Sequence, residues 1–145
     1  MPSWVDTAVA DYGRRMPAEL ALAWQEIKVE TRSPGSTVAR CLTREADRIR
    51  AALPKRAYLI ALDEKGTACT TVALAAHLQR WQALGDPVAM IIGGPDGLDQ
   101  SLKQAARETL RLSDLTLPHP VVRVVLAEQL YRAWTINNGH PYHRT

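Results

Sequence analysis

Val88-Ala-Met-Ile-Ile92 runs directly into Gly93-Gly-Pro-Asp-Gly97. A short unbroken apolar run that stops at a glycine- and proline-rich loop is the pattern of a strand covered on both faces. In open α/β sheets, ligands bind beyond the carboxyl ends of such strands. This stretch decides the fold class and shows where to look for chemistry.

Working outward, Ala57-Tyr-Leu-Ile-Ala-Leu62 is a second run of the same kind, with Asp63-Glu-Lys-Gly66 read as a turn at its end. Between the two runs, Val72, Ala75, Leu78 and Trp81 or Gln82 recur at helical spacing, with Thr70 or Thr71 as cap and Gly85 as stop. Upstream, Val38, Leu42, Ala46, Ile49 and Leu53 predict an amphipathic helix over 37–53, closed by Pro54. Its other face carries Arg40, Arg44, Asp47, Arg48 and Arg50. The alternation over Leu20–Val29 predicts a strand, and Trp4, Val5, Ala8, Val9 and Tyr12 predict an opening helix. Downstream, the pattern predicts a helix over 99–109, a short strand over 110–115 and a helix over about 121–136. Helices thus alternate with four strands, which implies an α/β fold with a mostly parallel sheet flanked by helices. The strand order is not readable from periodicity.

The 145 residues suit one domain, 1–145, and 46% hydrophobic residues can build a core. A net charge of +3 slightly favours an anionic partner. The cations are scattered, with no basic tail. Cys41 and Cys69 suit neither a disulfide framework nor a cysteine zinc site. No signal segment or membrane-length apolar run occurs, so the cytoplasm is the expected location and no membrane partner is expected.

The loops carry the candidate chemistry. Gly93–Gly97 is neither G-x-G-x-x-G nor a phosphate loop with Lys-Ser/Thr. It reads either as a tight strand-to-helix connection or as a backbone wall for a neutral or zwitterionic cofactor. In Ser113-Asp-Leu-Thr-Leu-Pro118, Leu115 and Leu117 could press on a flat ring while main-chain groups bind an adenine edge. A purely structural loop is the competing reading. Asp63 or Glu64 could meet a ribose or amino group, or simply be solvated. In the tail, Tyr142 and His143 could stack on a base and Arg144 could bind phosphate. His140, His143, Asp63 and Glu64 lack the spacing of a metal site, and none is expected. Arg123, Glu128 and Arg132 could face an anionic partner or pair among themselves. Trp134 reads as packing or a dimer contact rather than a base stacker, and His77 reads as structural.

Together, Ile91-Ile-Gly-Gly-Pro-Asp-Gly-Leu98, Leu112-Ser-Asp-Leu-Thr-Leu-Pro-His-Pro-Val-Val-Arg123, Glu128-Gln-Leu-Tyr-Arg-Ala-Trp134 and His140-Pro-Tyr-His-Arg144 closely resemble the ribosomal RNA large subunit methyltransferase H family of the SPOUT superfamily. The likeness spans nearly the whole chain. It implies a trefoil-knotted α/β fold, a homodimer, and S-adenosyl-L-methionine as methyl donor. It also implies N3 of a pseudouridine in 23S ribosomal RNA of the assembled ribosome as acceptor. Carried over by position, the cofactor contacts fall on Leu62 or its neighbour Asp63, on Gly94, and on Ser113, Asp114, Leu115, Thr116, Leu117 and Pro118. The catalytic tail falls on His140, Tyr142, His143 and Arg144. Either His could take the acceptor's proton, Arg144 could stabilise the developing anion, and Tyr142 could orient the base; the four are not ranked. Family members usually carry a strand and a glycine-containing turn ahead of the segment that stands here at Met1-Pro-Ser-Trp4. Either the start is truncated or the chain does without that strand.

Two other classes remain in view. A non-catalytic RNA-binding or ribosome-associated module fits the modest charge and aromatic tail equally well. A nicotinamide or nucleotide enzyme is disfavoured by the missing G-x-G-x-x-G.

Overall fold

The computed structural model describes residues 1–143. Its elements are α1 (Ser3–Arg15), a single 3-10 turn (Ala18–Leu20), α2 (Val38–Ala52), β1 (Tyr58–Ala68), α3 (Thr71–Ala83), β2 (Val88–Ile92), α4 (Gln100–Ala105), β3 (Glu108–Arg111) and α5 (His119–Asn137). They fall into two compact units, each built from separated stretches of chain. One comprises Met1–Trp24, Cys69–Gly85 and Leu115–Thr145, and the other Gln25–Ala68 and Asp86–Asp114.

The second unit holds the sheet, three parallel strands in the order β2-β1-β3. The parallel α/β class expected from the two apolar runs is therefore observed. Ile60 of β1 stands opposite Met90 on one side and Glu108 on the other. Leu59, Ile60, Ala61 and Leu62 are all buried, which is why the run shows no polar alternation. Leu59, Ala61 and Ile91 pack with Ala46 of α2 and with Leu98 and Leu102, while Ile49 and Leu53 close the edge. Thr37 caps α2 by accepting from the Arg40 amide, and Asp99 caps α4 through the Ser101 amide.

The first unit is helical. Val5 and Val9 of α1 pack on Ala127 of α5, with Tyr12, Trp24 and Val124 around them. α3 joins α5 through Thr71 Oγ1 donating to Gln129 Oε1 (2.7 Å) and Asn137 Nδ2 donating to the Ala75 carbonyl (2.9 Å). Thr70 caps α3, and Pro120 lies in the first turn of α5, where its missing N–H costs no bond. Trp81 rather than Gln82 takes the buried end of the α3 stripe, and Val72, expected in the core, is exposed.

Four sequence expectations need correction. Leu20–Val29 is not a strand. A strand exists only through its ladder, and the polar backbone at the end of this stretch is bonded to side chains instead. Arg48 takes the Lys28 carbonyl, and Glu45 accepts from the Glu30 amide. Asp63–Gly66 does not end β1 but lies within it. Leu62 and Thr67 both stand opposite Leu110, so the ladder skips the residues between them. Gly66 returns so close to β3 that a Cβ there would lie 2.8 Å from the Leu110 carbonyl carbon. α4 stops at Ala105 rather than near 109, because the Arg107 amide donates to the Leu59 carbonyl at 2.8 Å and starts the ladder. β3 accordingly spans 108–111 rather than 110–115, and the sheet has three strands among the described residues.

Candidate functional site

In the sheet-bearing unit, the expected cofactor residues gather at strand ends. Leu62 is 8% exposed, at the last regular position of β1. Asp63 follows it, its carboxylate 3.8 Å from Lys103 Nζ. After β2 the chain folds back on itself, with the Gly97 amide donating to the Gly94 carbonyl at 3.0 Å and Gly97 at φ +80°. A Cβ on Gly93 would lie 2.6 Å from the Gly97 carbonyl carbon, so only glycine closes this turn. Ser113 and Asp114 follow β3, and Asp114 is exposed with a 3.1 Å ion pair to Arg111.

The turn is also held from outside. Arg32 Nε and Nη2 donate to Asp96 Oδ2 at 3.1 and 2.9 Å, while Nη1 donates to the Glu30 carbonyl at 2.8 Å and to Glu45 Oε2. Glu45 is 7% exposed. Its carboxylate, followed by that of Asp96, holds the Arg32 guanidinium well above its usual pKa. Reading the sequence missed this group. Arg32 stands 64 positions from Asp96, with no local signal. Glu45 does leave a trace: it falls four residues after Cys41 and four before Ile49, an acid on the buried side of an amphipathic helix.

The Arg cluster of α2 is partly neutralised. Arg44 and Arg48 both bond Glu30, whose carboxyl is lowered in pKa, first by Arg44 and then by Arg48. Arg50 pairs with Asp47.

In the helical unit, the residues leading into α5 are open. Leu115 is 74% exposed, unusual for a leucine, Thr116 and Pro118 are exposed, and Leu117 is half-buried. At the other end of α5, the tail folds back on the helix. The His140 amide donates to the Thr135 carbonyl at 3.0 Å, and the Tyr142 amide donates to His140 Nδ1 at 3.1 Å. The Tyr142 hydroxyl donates to Glu128 Oε2 at 2.8 Å, and its ring meets Tyr131 edge-on at 4.6 Å. Arg132 lies over the Tyr142 ring at 5.0 Å and bonds Glu128 at 2.8 Å. Burial, then the bond to Glu128, pushes the Tyr142 phenol well above its usual pKa. It is neutral at physiological pH and cannot serve as a base there.

The hydrogen bonds also assign the histidine tautomers. Thr135 Oγ1 donates to the Arg132 carbonyl at 2.6 Å, so its contact with His143 Nδ1 at 3.2 Å is one it accepts. A neutral His143 then carries its proton on Nδ1 and offers an Nε2 lone pair. His140 Nδ1 already accepts from the Tyr142 amide, so its Nε2 is a donor. The structure thus brings His140, Tyr142 and His143 together around Glu128 and Thr135. Arg144 lies outside the described residues. Among the described residues, no group of three His, Cys, Asp or Glu is placed to hold a metal ion.

A family model described as "Predicted SPOUT methyltransferase" matches residues 1–143. The chain belongs to the SPOUT methyltransferase family. Curated relatives of this methyltransferase include the "Ribosomal RNA large subunit methyltransferase H" of Verminephrobacter eiseniae, 56% identical over 144 residues, and that of Bordetella pertussis, 57% identical over 144 residues. The protein of the same name from Delftia acidovorans is 55% identical over 144 residues. In each case the match covers 99% of this chain and 92% of the relative. The expected resemblance therefore holds at the level of family and enzyme class. No described helix of this methyltransferase is long and apolar enough to cross a membrane.

Proposed function

We propose that this methyltransferase transfers the methyl group of S-adenosyl-L-methionine to N3 of a pseudouridine in 23S ribosomal RNA of the assembled ribosome. It would do so as a knotted homodimer in the cytoplasm. The RNA substrate rests on the printed names of relatives identical at more than half of their aligned positions. The position methylated rests on the likeness of the tail and loop motifs. The observation that carries the chemistry is the chain from the Arg132 carbonyl through Thr135 to His143, which leaves Nε2 able to accept a proton.

The residues suit such a donor. Gly93 and Gly94 present main chain without side chains, Leu115 presents an apolar face to solvent, and Asp63 adds a carboxylate for a cationic or hydroxyl-bearing ligand. We assign donor binding to Leu62 or Asp63, Gly94 and Ser113–Pro118. When bound, the donor supplies a methyl already activated on a sulfonium, so the protein has only to align the acceptor and manage one proton. His143 Nε2 takes the N3 proton, freeing the nitrogen lone pair for the methyl. His140 Nε2 donates to an acceptor oxygen, where negative charge gathers as the proton leaves. Tyr142 acts through its contacts, holding both histidines against α5. Arg144 would add positive charge near the same oxygens.

The test is mass spectrometry of 23S RNA fragments after ribosomes are incubated with the protein and labelled donor. A methyl gained on a pseudouridine is expected. Folded protein that leaves every fragment unlabelled overturns the reading in favour of a binding module.

A further inference from the structure

We propose that Arg32 is a positioning residue for donor binding: it locks the Gly93–Gly97 turn in shape from a loop outside the sheet. The proposal rests on the assignment of that turn to the donor, and adds to it a residue that touches no reacting atom.

The Gly97 amide closes the turn on the Gly94 carbonyl, and glycines at 93, 94 and 97 give the backbone more freedom than any other residue would. Asp96 is the charged side chain within it, and Nε and Nη2 of Arg32 both donate to its Oδ2. The remaining nitrogen, Nη1, reaches the Glu30 carbonyl and the buried Glu45 carboxylate. Glu45 is itself anchored by the Glu30 amide at 2.9 Å and stands on α2, whose Ala46 lies in the core. One planar guanidinium thus ties a glycine turn to a rigid helix. The fork geometry matters, because a lysine could reach one carboxylate but not bridge two. Arg32 and Asp96 are 30% and 35% exposed, sheltered enough for the bonds to count and not so buried that the pair is needed for folding. A preformed turn spares the donor the entropy of ordering it, so loss of the lock appears as lost affinity.

The experiment uses the full chain and titrates S-adenosylhomocysteine by calorimetry into the wild type, Arg32→Met, Arg32→Lys, Asp96→Ala and the Arg32→Met/Asp96→Ala double variant. Arg32→Met also removes the counter-charge of Glu45 and could unfold. Asp96→Ala leaves that pair intact and releases only the turn. Arg32→Met and Asp96→Ala should each raise Kd roughly tenfold, with Arg32→Lys between them and wild type, and the double variant should be no worse than the weaker-binding single. In turnover, KM for the donor should rise while kcat holds. Amide exchange at Gly97 should speed up in Asp96→Ala even without ligand. Unchanged Kd in a folded Asp96→Ala, or additive losses in the double variant, overturns the proposal while leaving the donor assignment standing. A wild-type chain that binds no S-adenosylhomocysteine overturns the donor assignment, and the proposal with it.

Discussion

The Tyr142 hydroxyl donates to Glu128 Oε2 at 2.8 Å across fourteen positions of chain, and the same oxygen accepts from Arg132. A terminal segment that a sequence leaves free to move is thereby pinned to α5, with His140 and His143 on either side of the pin. Glu128→Gln keeps the shape but loses the charge that both partners use. It should lower stability by about 1 kcal/mol, the scale of a partly exposed charge-assisted bond. It should lower kcat more than donor affinity. Tyr142→Phe should do the same, and the double variant should match the worse single. Equal effects on kcat and donor Kd would argue against a latch for the tail alone.

The two histidines should separate in their rates on ribosomes, followed as a pH–rate profile. His143→Ala removes the proton acceptor and should cost on the order of 100-fold or more. His140→Ala should lower the rate by less. The Tyr142 phenol, raised in pKa by burial and Glu128, should not titrate in this profile below pH 10. Stability contributed by its neutral form is present below pH 10 and declines only above it. A His143→Ala protein that keeps the wild-type rate would reject His143 as the base.

How much of this was legible depends on the range of the forces involved. Thr70, one of the two caps expected for α3, does cap it, and β2 falls on Val88–Ile92, because caps and apolar runs are local. Leu20–Val29 has the right alternation, but strand formation is decided by a distant partner. The early end of α4 was invisible because it depends on the Leu59 carbonyl, nearly fifty residues back. The tail was found through its residue types. The group that orders it, Glu128, read only as one charge between two arginines. Arg32 gave no signal at all, since both of its acids are brought to it by the fold.

Glu30 makes stability sensitive to acid. Arg44, and then Arg48, lower its carboxyl below the ordinary 4.5, so the folded chain binds this proton less readily than the unfolded one. Its contribution is fully present above pH 4.5 and is lost as pH falls below that value. In urea unfolding, Glu30→Gln should be weaker than wild type at pH 7, and the difference should narrow as pH falls below 4.5. A gap that persists at low pH would mean that Glu30 acts through packing rather than charge.

The pairing of Arg44 and Arg48 with Glu30, and of Arg50 with Asp47, offsets part of the positive charge on α2 that could hold RNA phosphates. With a net charge of only +3, affinity for isolated RNA should be low, and its salt dependence shallow because few phosphates are neutralised. Rates on joined ribosomal subunits should exceed those on a short synthetic stem-loop by orders of magnitude at equal concentration and salt. Comparable rates would show that a local RNA element is enough.

The glycine turn offers a test that separates folding from binding. A methyl at Gly93 would lie 2.6 Å from the Gly97 carbonyl carbon and within 2.9 Å of its Cα and carbonyl oxygen, so it meets main chain rather than a flexible side chain. Gly93→Ala should therefore cost about 1–3 kcal/mol of stability through forced backbone shifts. At Gly94 the nearest atoms to a new methyl are Glu45 Oε1 and Val29 Cγ2, both at 3.9 Å, an ordinary contact. Gly94→Ala should melt within a few degrees of wild type. If Gly94 lines the donor as assigned, that variant should still bind S-adenosylhomocysteine more weakly, because main chain can approach a ligand more closely than a methyl-bearing residue can. Thermal melts and calorimetry on the two variants settle the matter together. A Gly94→Ala protein with wild-type melting and wild-type affinity would remove Gly94 from the donor contacts.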